Sequence, residues 1–373
     1  MKIGVLTSSR ADYGIYLPLL KAIMKAPDMD LGVIAFGTHL SKIHGHTVDH
    51  IVHEGFPIVK TIDTIPKDDS PLDIAESYAL TAQQFAEYWS GEGSTFDVVL
   101  ALGDRYEMAA AVAASIPFGL RIAHLHGGET TLGAIDNTYR HSISLASYVH
   151  FVSAEPFVVR LKQLLDAPDP LVFNVGSLGL ENIEQIELLD KKTFYQRWGI
   201  DLNQPTILVT VHPETVEYQN NQEYSAVTSE ALNTLAEEYQ VVITLPNADT
   251  MGSLYRERFV ELSDNHPNVF AVENFGTQSY FTCMKHAQFL LGNTSSGIIE
   301  AASFNKYVIN LGDRQKGRLC GDNVIHVPFD KQRIMEAMKK LKGKYWNGGN
   351  LYHQVQPSHK ILDILRTHLE KQQ

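Results

Sequence analysis

Apolar runs of four to six residues recur along the chain, each closed by glycine or a polar residue and followed by a stretch with helical spacing. Lys2–Thr7 (KIGVLT) is the first such run, a turn through Ser8–Gly14 follows it, and YLPLLKAIMK has the apolar spacing of a helix. The rhythm repeats through LGVIAFGTHL, VVLALGDR, RIAHLHGGE, VHFVSA and LVFNVG. Between these runs lie helical stretches over roughly Ile74 to Tyr88, over YEMAAAVAA, from IDNTYRH, and over Phe157 to Leu165. Continuous apolar runs of strand length alternating with helices predict a parallel sheet covered on both faces, its crossovers right-handed. A polar helix over Leu180 to Trp198 and the turn GIDLNQP then interrupt the pattern. A second series begins at Thr206: TILVTVHP, VVITLP, NVFAVEN, QFLLGNTSSG and YVINLG, with helices near Gln222–Tyr239, Ser253–Leu262 and Thr277–His286. The two series share a layout but are not repeats. In the tail, Ile361, Leu362, Leu365 and Leu369 form one stripe that needs a surface to pack on.

This pattern predicts an α/β protein with an N-terminal Rossmann-like domain over 1–178, a C-terminal one over 179–356, and a closing helix over 357–373 that packs back on the first. A chain of 373 residues fits that division, since domains usually run to about 150–200 residues. The net charge of −12 argues against general nucleic-acid binding but leaves room for an anionic small ligand. Two cysteines, Cys283 and Cys320, offer no disulfide framework. The opening IGVL is too short for a signal peptide, and no apolar stretch approaches the roughly 20 residues of a membrane span. A cytoplasmic location is expected, with no membrane partner.

The chemistry concentrates at the carboxyl ends of the strands, where open α/β sheets bind ligands. Asp104 and Glu129 follow two runs expected to be neighbouring strands, and Asp136 heads the next helix. Three carboxylates at one crevice make a poor core and a good proton-transfer site. Arg10 stands in the first strand–helix turn, either meeting a ligand or pairing with Asp12 at the surface. Five histidines lie between residues 39 and 53; His44-x-His46 allows a metal, but a solvated mobile loop fits the segment better. In the second half, Asn293-Thr294-Ser295-Ser296-Gly297 joins a strand to a helix running from about Ile298. Its free N–H groups suit a diphosphate, while Ser295 or Ser296 could equally serve as an ordinary N-cap. Glu300 either complements that helix dipole or accepts from sugar hydroxyls. Asp313–Arg318 adds cations to the same rim. His212, ending the first strand of this half, could be an acid, a base, a phosphate contact or simply part of a His-Pro turn. Carboxylates in one doubly wound domain and an anion site in the other describe a glycosyltransferase-B arrangement, the two domains facing a cleft that holds a nucleotide-sugar.

Taken together, Ser9-Arg10-Ala11-Asp12-Tyr13, Gly37-Thr38-His39-Leu40, Gly103-Asp104-Arg105, His126-Gly127-Gly128-Glu129, Ile135-Asp136-Asn137 with Arg140-His141, Gly292–Gly297 and Gly312-Asp313-Arg314-Gln315-x-Gly317-Arg318 resemble the hydrolysing UDP-N-acetylglucosamine 2-epimerases of sialic-acid synthesis. The matches run in one order from residue 9 to about 323. Non-hydrolysing relatives typically begin Arg-Pro-Glu and carry His-Val-Glu-Ala-Gly where this chain has His-Leu-His-Gly-Gly-Glu. Two positions depart from the family pattern: Ile15 replaces a frequent lysine, and Asn137 stands where some relatives have a second aspartate.

The resemblance implies a metal-independent enzyme without a cofactor, built on a homodimer or a dimer of dimers. The reaction it implies turns UDP-N-acetylglucosamine and water into UDP and N-acetylmannosamine through a glycal. Asp104, Glu129, Asp136 and His212 are then the acid/base candidates. Arg10, Arg314 and the Thr294–Gly297 turn stabilise the diphosphate, and His39, Asn293 and Glu300 join the substrate contacts. Contacts to the base from around Phe275 and Gln278 are further expectations. The alternative substrate is a UDP- or GDP-linked 2,4-diacetamido-trideoxyhexose of the legionaminic-acid type. The alternatives of another class are a sugar transferase of the same fold and a catalytically silent nucleotide-sugar sensor.

Overall fold

Each apolar run becomes a strand because parallel strands, buried on both faces, have no polar side to present. The computed structural model describes residues 1–41, 46–65, 70–130, 132, 136–214, 218–246, 252–273 and 275–369. They form two units: residues 1–129, 135–184 and 352–373, and residues 130–134 and 185–351. Residues 179–184 and 352–356 thus belong to the first unit, not to the second as the sequence reading has them.

The first unit contains a seven-stranded parallel sheet ordered β3-β2-β1-β4-β5-β6-β7. Its strands are β1 (Lys2–Thr7), β2 (Asp30–Phe36), β3 (Ile58–Ile62), β4 (Val98–Leu102), β5 (Ile122–Leu125), β6 (Val149–Val152) and β7 (Leu171–Asn174). One face packs under α1 (Arg10–Lys25) and α14 (Pro357–Leu369). The other packs under α3 (Pro71–Trp89), α4 (Tyr106–Ala113) and α5 (Asp136–Leu145). The stripe Ile361, Leu362, Leu365 and Leu369 is buried in the first of these cores with Leu19, Leu20 and Ile23. Full burial of such a side chain contributes roughly 1.5–3 kcal/mol. The start of α14 is held from α7 (Leu178–Gln185) by the buried Glu181, which accepts from the Ser358 N–H and hydroxyl at 2.8 and 2.6 Å.

The second unit contains a six-stranded parallel sheet ordered β10-β9-β8-β11-β12-β13. These are β8 (Thr206–Thr210), β9 (Gln240–Thr244), β10 (Val269–Val272), β11 (Leu290–Gly292), β12 (Val308–Leu311) and β13 (Val324–Val327). In both sheets the strand order reverses once, between β1 and β4 and between β8 and β11. Those reversals are the switch points where α/β sheets open a crevice.

Four sequence expectations need correction. The single helix over Leu180–Trp198 is two, α7 and α8 (Lys191–Trp198), because the Asp190 carboxylate accepts the Thr193 N–H at 2.8 Å and starts a new helix. The histidine-rich segment is not a solvated loop where described: a 3₁₀ turn (Gly37–Leu40) and α2 (Val48–His53) bury His39, Thr47, Val48 and Ile51. His46 pairs with Asp49 at 2.9 Å, and His44 lies outside the described residues. The helix after Asn293 begins earlier and is short: α12 spans Ser295–Ile299, and a 3₁₀ turn over Ala301–Phe304 follows. The strand count also rises, since β3 and β13 lie at sheet edges with half-exposed residues and lack a continuous apolar run.

Candidate active site

In the first unit the acids converge on one buried guanidinium. β4 and β5 are adjacent and parallel, so the turns after them leave the same edge of the sheet. Gly103, at φ +85, turns the chain to Asp104, and His126 and Gly128, at φ +64 and +76, fold the β5 turn back to Glu129. A left-handed non-glycine residue costs free energy and persists only where its surroundings hold it. His126 is held at both ends: its Nδ1 bonds Glu129 Oε1 at 2.7 Å and its carbonyl accepts from Arg140 at 2.9 Å. Arg140, on the first turns of α5, is only 5% exposed; it also donates to Asp104 and stands 3.4 Å from Glu129 Oε2. Ser153 donates to Glu129 Oε1 at 2.7 Å. Glu129 is thereby held by three groups that want a carboxylate acceptor. Asp136 begins α5, and burial together with the charge of Asp104 raises its pKa.

Beneath these turns, His124 on β5 and His150 on β6 are register partners, and both are buried. His124 Nε2 lies 2.9 Å from the Gly103 carbonyl and its Nδ1 3.0 Å from the Ser144 hydroxyl, which fixes a neutral ring. Burial pushes the two pKa values down to about 3 and about 4.

The first strand–helix turn has the position of a nucleotide-phosphate seat, yet its donors are already used. The Asp12 carboxylate accepts the N–H groups of Ser8, Ser9 and Tyr13 at 2.7, 2.8 and 3.0 Å. Ser9 and Asp12 form a capping box at the start of α1. Of the two readings of Arg10, the pair with Asp12 is replaced by backbone donors, and Arg10 is exposed on the first turn of α1. His39 is fully buried, its ring nitrogens 2.9 Å from the Thr7 hydroxyl and 2.8 Å from that of Thr47. Those bonds leave no ring nitrogen for a ligand, and burial lowers its pKa.

In the second unit His212 and Asn293 follow β8 and β11, on either side of the strand-order reversal. Asn293 is fully buried and acts as a strand in miniature: its Oδ1 accepts the His212 N–H at 2.8 Å and its Nδ2 donates to the His212 carbonyl at 2.9 Å. Gly292, at φ +148, is required there, because a Cβ would overlap the Thr210 carbonyl oxygen. Thr294, not either serine, is the N-cap of α12, its hydroxyl accepting the Ser296 N–H at 3.3 Å; Ser295 is exposed. Glu300 sits at the C-cap of α12, so it does not complement the N-terminal dipole. Burial raises its pKa to about 7. Arg314 donates to the Pro213 carbonyl at 3.0 Å, and Gln315 to the Asn293 carbonyl at 2.8 Å. A groove of about 580 Å³ beside Tyr195 and Phe270 opens at the amino ends of β8, β9 and β10, the opposite edge from His212. Phe275 is buried against Phe194 and Trp198, and Gln278 donates to the Glu187 carbonyl.

Sequence reasoning placed Asp104, Glu129 and Asp136 on one edge but passed over the residues that hold them. Arg140 and His126 lie inside quoted motifs, and their types alone announce a donor beside carboxylates. Ser153 carries no such signal. Among the described residues no cluster of three or more His, Cys, Asp or Glu could hold a metal, and no helix is long and apolar enough to cross a membrane.

A family model described as UDP-N-acetylglucosamine 2-epimerase matches residues 21–366. The chain is 36% identical over 371 residues to a UDP-N,N'-diacetylbacillosamine 2-epimerase (hydrolyzing) of Legionella pneumophila, covering 98% of this chain and 96% of that one. It is 35% identical over 346 residues to a GDP/UDP-N,N'-diacetylbacillosamine 2-epimerase (hydrolyzing) of Campylobacter jejuni, covering 92% and 88%. A crystal structure of the UDP-GlcNAc 2-epimerase of Neisseria meningitidis bound to UDP-GlcNAc superposes with a TM-score of 0.82 at 19% identity, covering 99% of this chain and 100% of that one. The fold is thus the two-domain, Rossmann-like glycosyltransferase-B type, and the chain belongs to the UDP-N-acetylglucosamine 2-epimerase family, within its hydrolysing branch.

Proposed function

We propose that the protein hydrolyses a UDP-linked 2-acetamido sugar with inversion at C2, and that the sugar is a 2,4-diacetamido-trideoxyhexose, N,N'-diacetylbacillosamine. The observation that carries the reaction type is the division of the first unit's acids. Arg140 donates to Asp104 and stands 3.4 Å from Glu129 Oε2, while burial and the Asp104 charge raise the pKa of Asp136. A site with one carboxylate to take a proton and one carboxylic acid to give it suits an elimination followed by an addition. In the first step a carboxylate removes the C2 proton as the C1–O bond breaks and UDP leaves with the electron pair, giving the glycal. In the second, C2 receives a proton from the opposite face and water adds at C1, losing its own proton. Glu129 and Asp104 are the acceptors in this reading, Asp136 the donor and His212 a second-unit acid/base group. Arg314 and the Thr294–Gly297 turn receive the developing charge on the diphosphate, with Glu300 at the ribose hydroxyls.

Identities of 36% and 35% to two diacetylbacillosamine enzymes support the sugar assignment. The family model's description supports the second reading, UDP-N-acetylglucosamine to N-acetylmannosamine. Cytoplasmic location and a homodimer or dimer of dimers belong to the same proposal, on the resemblance. The test incubates the protein in heavy water with each UDP-sugar in turn, and with the GDP-linked diacetamido sugar. UDP release with deuterium at C2 of the free sugar, fastest for the diacetamido substrate, is expected. Faster turnover of UDP-N-acetylglucosamine selects the second reading, and nucleotide release only with an added acceptor sugar selects a transferase.

A further inference from the structure

We infer that Glu214 is a positioning residue: its carboxylate seats the loop after β12 on the strand end that carries His212, and so sets where Arg314 stands. Glu214 lies two residues beyond His212 and is buried. Its Oε1 accepts two successive backbone N–H groups, those of Asp313 at 3.0 Å and Arg314 at 3.1 Å. Adjacent N–H groups aimed at one point form an anion seat, and here an internal carboxylate fills it. The bond is returned from the other side, since the Arg314 guanidinium donates to the Pro213 carbonyl at 3.0 Å.

The seat is itself fixed. The Glu214 N–H donates to Asn221 Oδ1 and its carbonyl accepts from Asn221 Nδ2, both at 2.9 Å. Asn221 is fully buried on the first turn of α9 (Asn221–Leu235), and its Oδ1 also accepts from the buried Tyr255 hydroxyl at 3.2 Å. Gly312, at φ +67, gives the loop its turn, and a Cβ there would overlap Glu214 Oε1. The loop's other fastening, from Gln315 to the Asn293 carbonyl, ends on the residue that holds the His212 backbone. The turns bearing His212, Asn293 and Arg314 therefore form one assembly braced around the Glu214 carboxylate. Its work needs an acceptor atom at one place rather than a contact with substrate.

The assignment of Arg314 to the diphosphate rests on the proposed function, so the experiment carries a readout independent of it. Hydrogen exchange at the amides of Asp313 and Arg314 is measured in the intact protein for wild type, Glu214→Ala, Glu214→Asp and Glu214→Gln. KM and kcat are measured alongside with the UDP-sugar. Alanine removes the acceptor, and aspartate keeps the charge but withdraws the oxygen. Both are expected to speed exchange at these two amides at least tenfold and to raise KM about tenfold, with kcat changed less than threefold. Glutamine presents a carbonyl oxygen at the same reach and is expected to restore both. Wild-type exchange in the aspartate variant, or a glutamine variant as impaired as alanine, overturns the inference. Faster exchange with an unchanged KM keeps the seat but removes Arg314 from the diphosphate, a failure of the proposed function alone.

Discussion

Arg140→Met tests whether the first unit's acids are a device held by one cation. Methionine keeps much of the volume and removes every donor. Asp104 and Glu129 then stand near one another with no guanidinium between them. Removing one member of a buried charge pair typically costs about 3–5 kcal/mol, because the remaining charge stays buried. Glu129 keeps His126 and Ser153 as donors, and the Asp104 side chain is 25% exposed. The lower end of that range, about 3 kcal/mol at pH 7.5, is therefore expected. With a urea slope of about 3 kcal/mol per molar, the unfolding midpoint falls by about 1 M.

The pH dependence makes the expectation sharper. Without the cation these acids bind protons more readily in the folded chain than in the unfolded one, so acid favours the variant's folded state. Its deficit against wild type should shrink as the pH falls from 7.5 towards 5. Arg140→Lys restores the charge but not the fork that reaches the His126 carbonyl, Asp104 and Glu129 at once, so it should regain part of the stability and little turnover. The assays are urea unfolding at two pH values and UDP release. A methionine variant within 1 kcal/mol of wild type with unchanged turnover refutes the reasoning, as does a deficit that grows on acidification.

Asp104→Asn, Glu129→Gln and His212→Ala should each lower turnover by a factor of about 100 or more, and unchanged UDP release in any of them removes that residue from the mechanism. His124 and His150 stay neutral in the folded chain down to about pH 3 and 4. The unfolded chain takes up these protons near pH 6.5, so stability is intact above that pH and falls below it by about 1.4 kcal/mol per unit per histidine. His150→Phe should remove one such increment from the slope measured between pH 6 and 4.5, and an unaltered slope contradicts the assignment. Glu300, at about 7 when folded, contributes stability that is intact below its unfolded value and lost as the pH rises to 7. Glu300→Gln should thus be the more stable protein at pH 8, by roughly 3 kcal/mol, with the gain gone near pH 4.5 in calorimetry. Thr294→Ala should cost about 1 kcal/mol as a lost cap, whereas Ser295→Ala leaves the melting temperature unchanged.

The two sheets were legible because β1, β4, β8 and β9 are runs that no amphipathic helix could use. The edge strands β3 and β13 were not, since pairing on one side tolerates residues such as Lys60 and His326. Helix α13 (Lys331–Leu341) does carry the spacing Ile334, Ala337, Met338, Leu341, and could have been read from it. In the site, sequence order placed Asp104, Glu129 and Asp136 at strand ends, which is a matter of periodicity. It could not apportion their protons. That depends on Arg140, 36 residues beyond Asp104, turning back from α5 to meet two strand-end turns.

Both units also fill a backbone anion seat with a carboxylate of their own. Asp12 occupies the N–H groups of the first strand–helix turn, and Glu214 those of Asp313 and Arg314. A donor bonded to an internal anion is not offered to a phosphate unless that anion leaves, and each of these is fastened by several bonds. This accounts for the absence of a Gly-x-Gly-x-x-Gly turn after β1, whose glycines bring the backbone up to a pyrophosphate that Asp12 here excludes. In the proposed function, diphosphate recognition then falls to side-chain cations and to the N–H groups at the start of α12, a helix of only five residues with a correspondingly weak dipole. Weak ground-state holding of the diphosphate is no handicap when that group must depart. In that reading a cation such as Arg314 contributes most as the C1–O bond breaks and charge builds on the leaving oxygen.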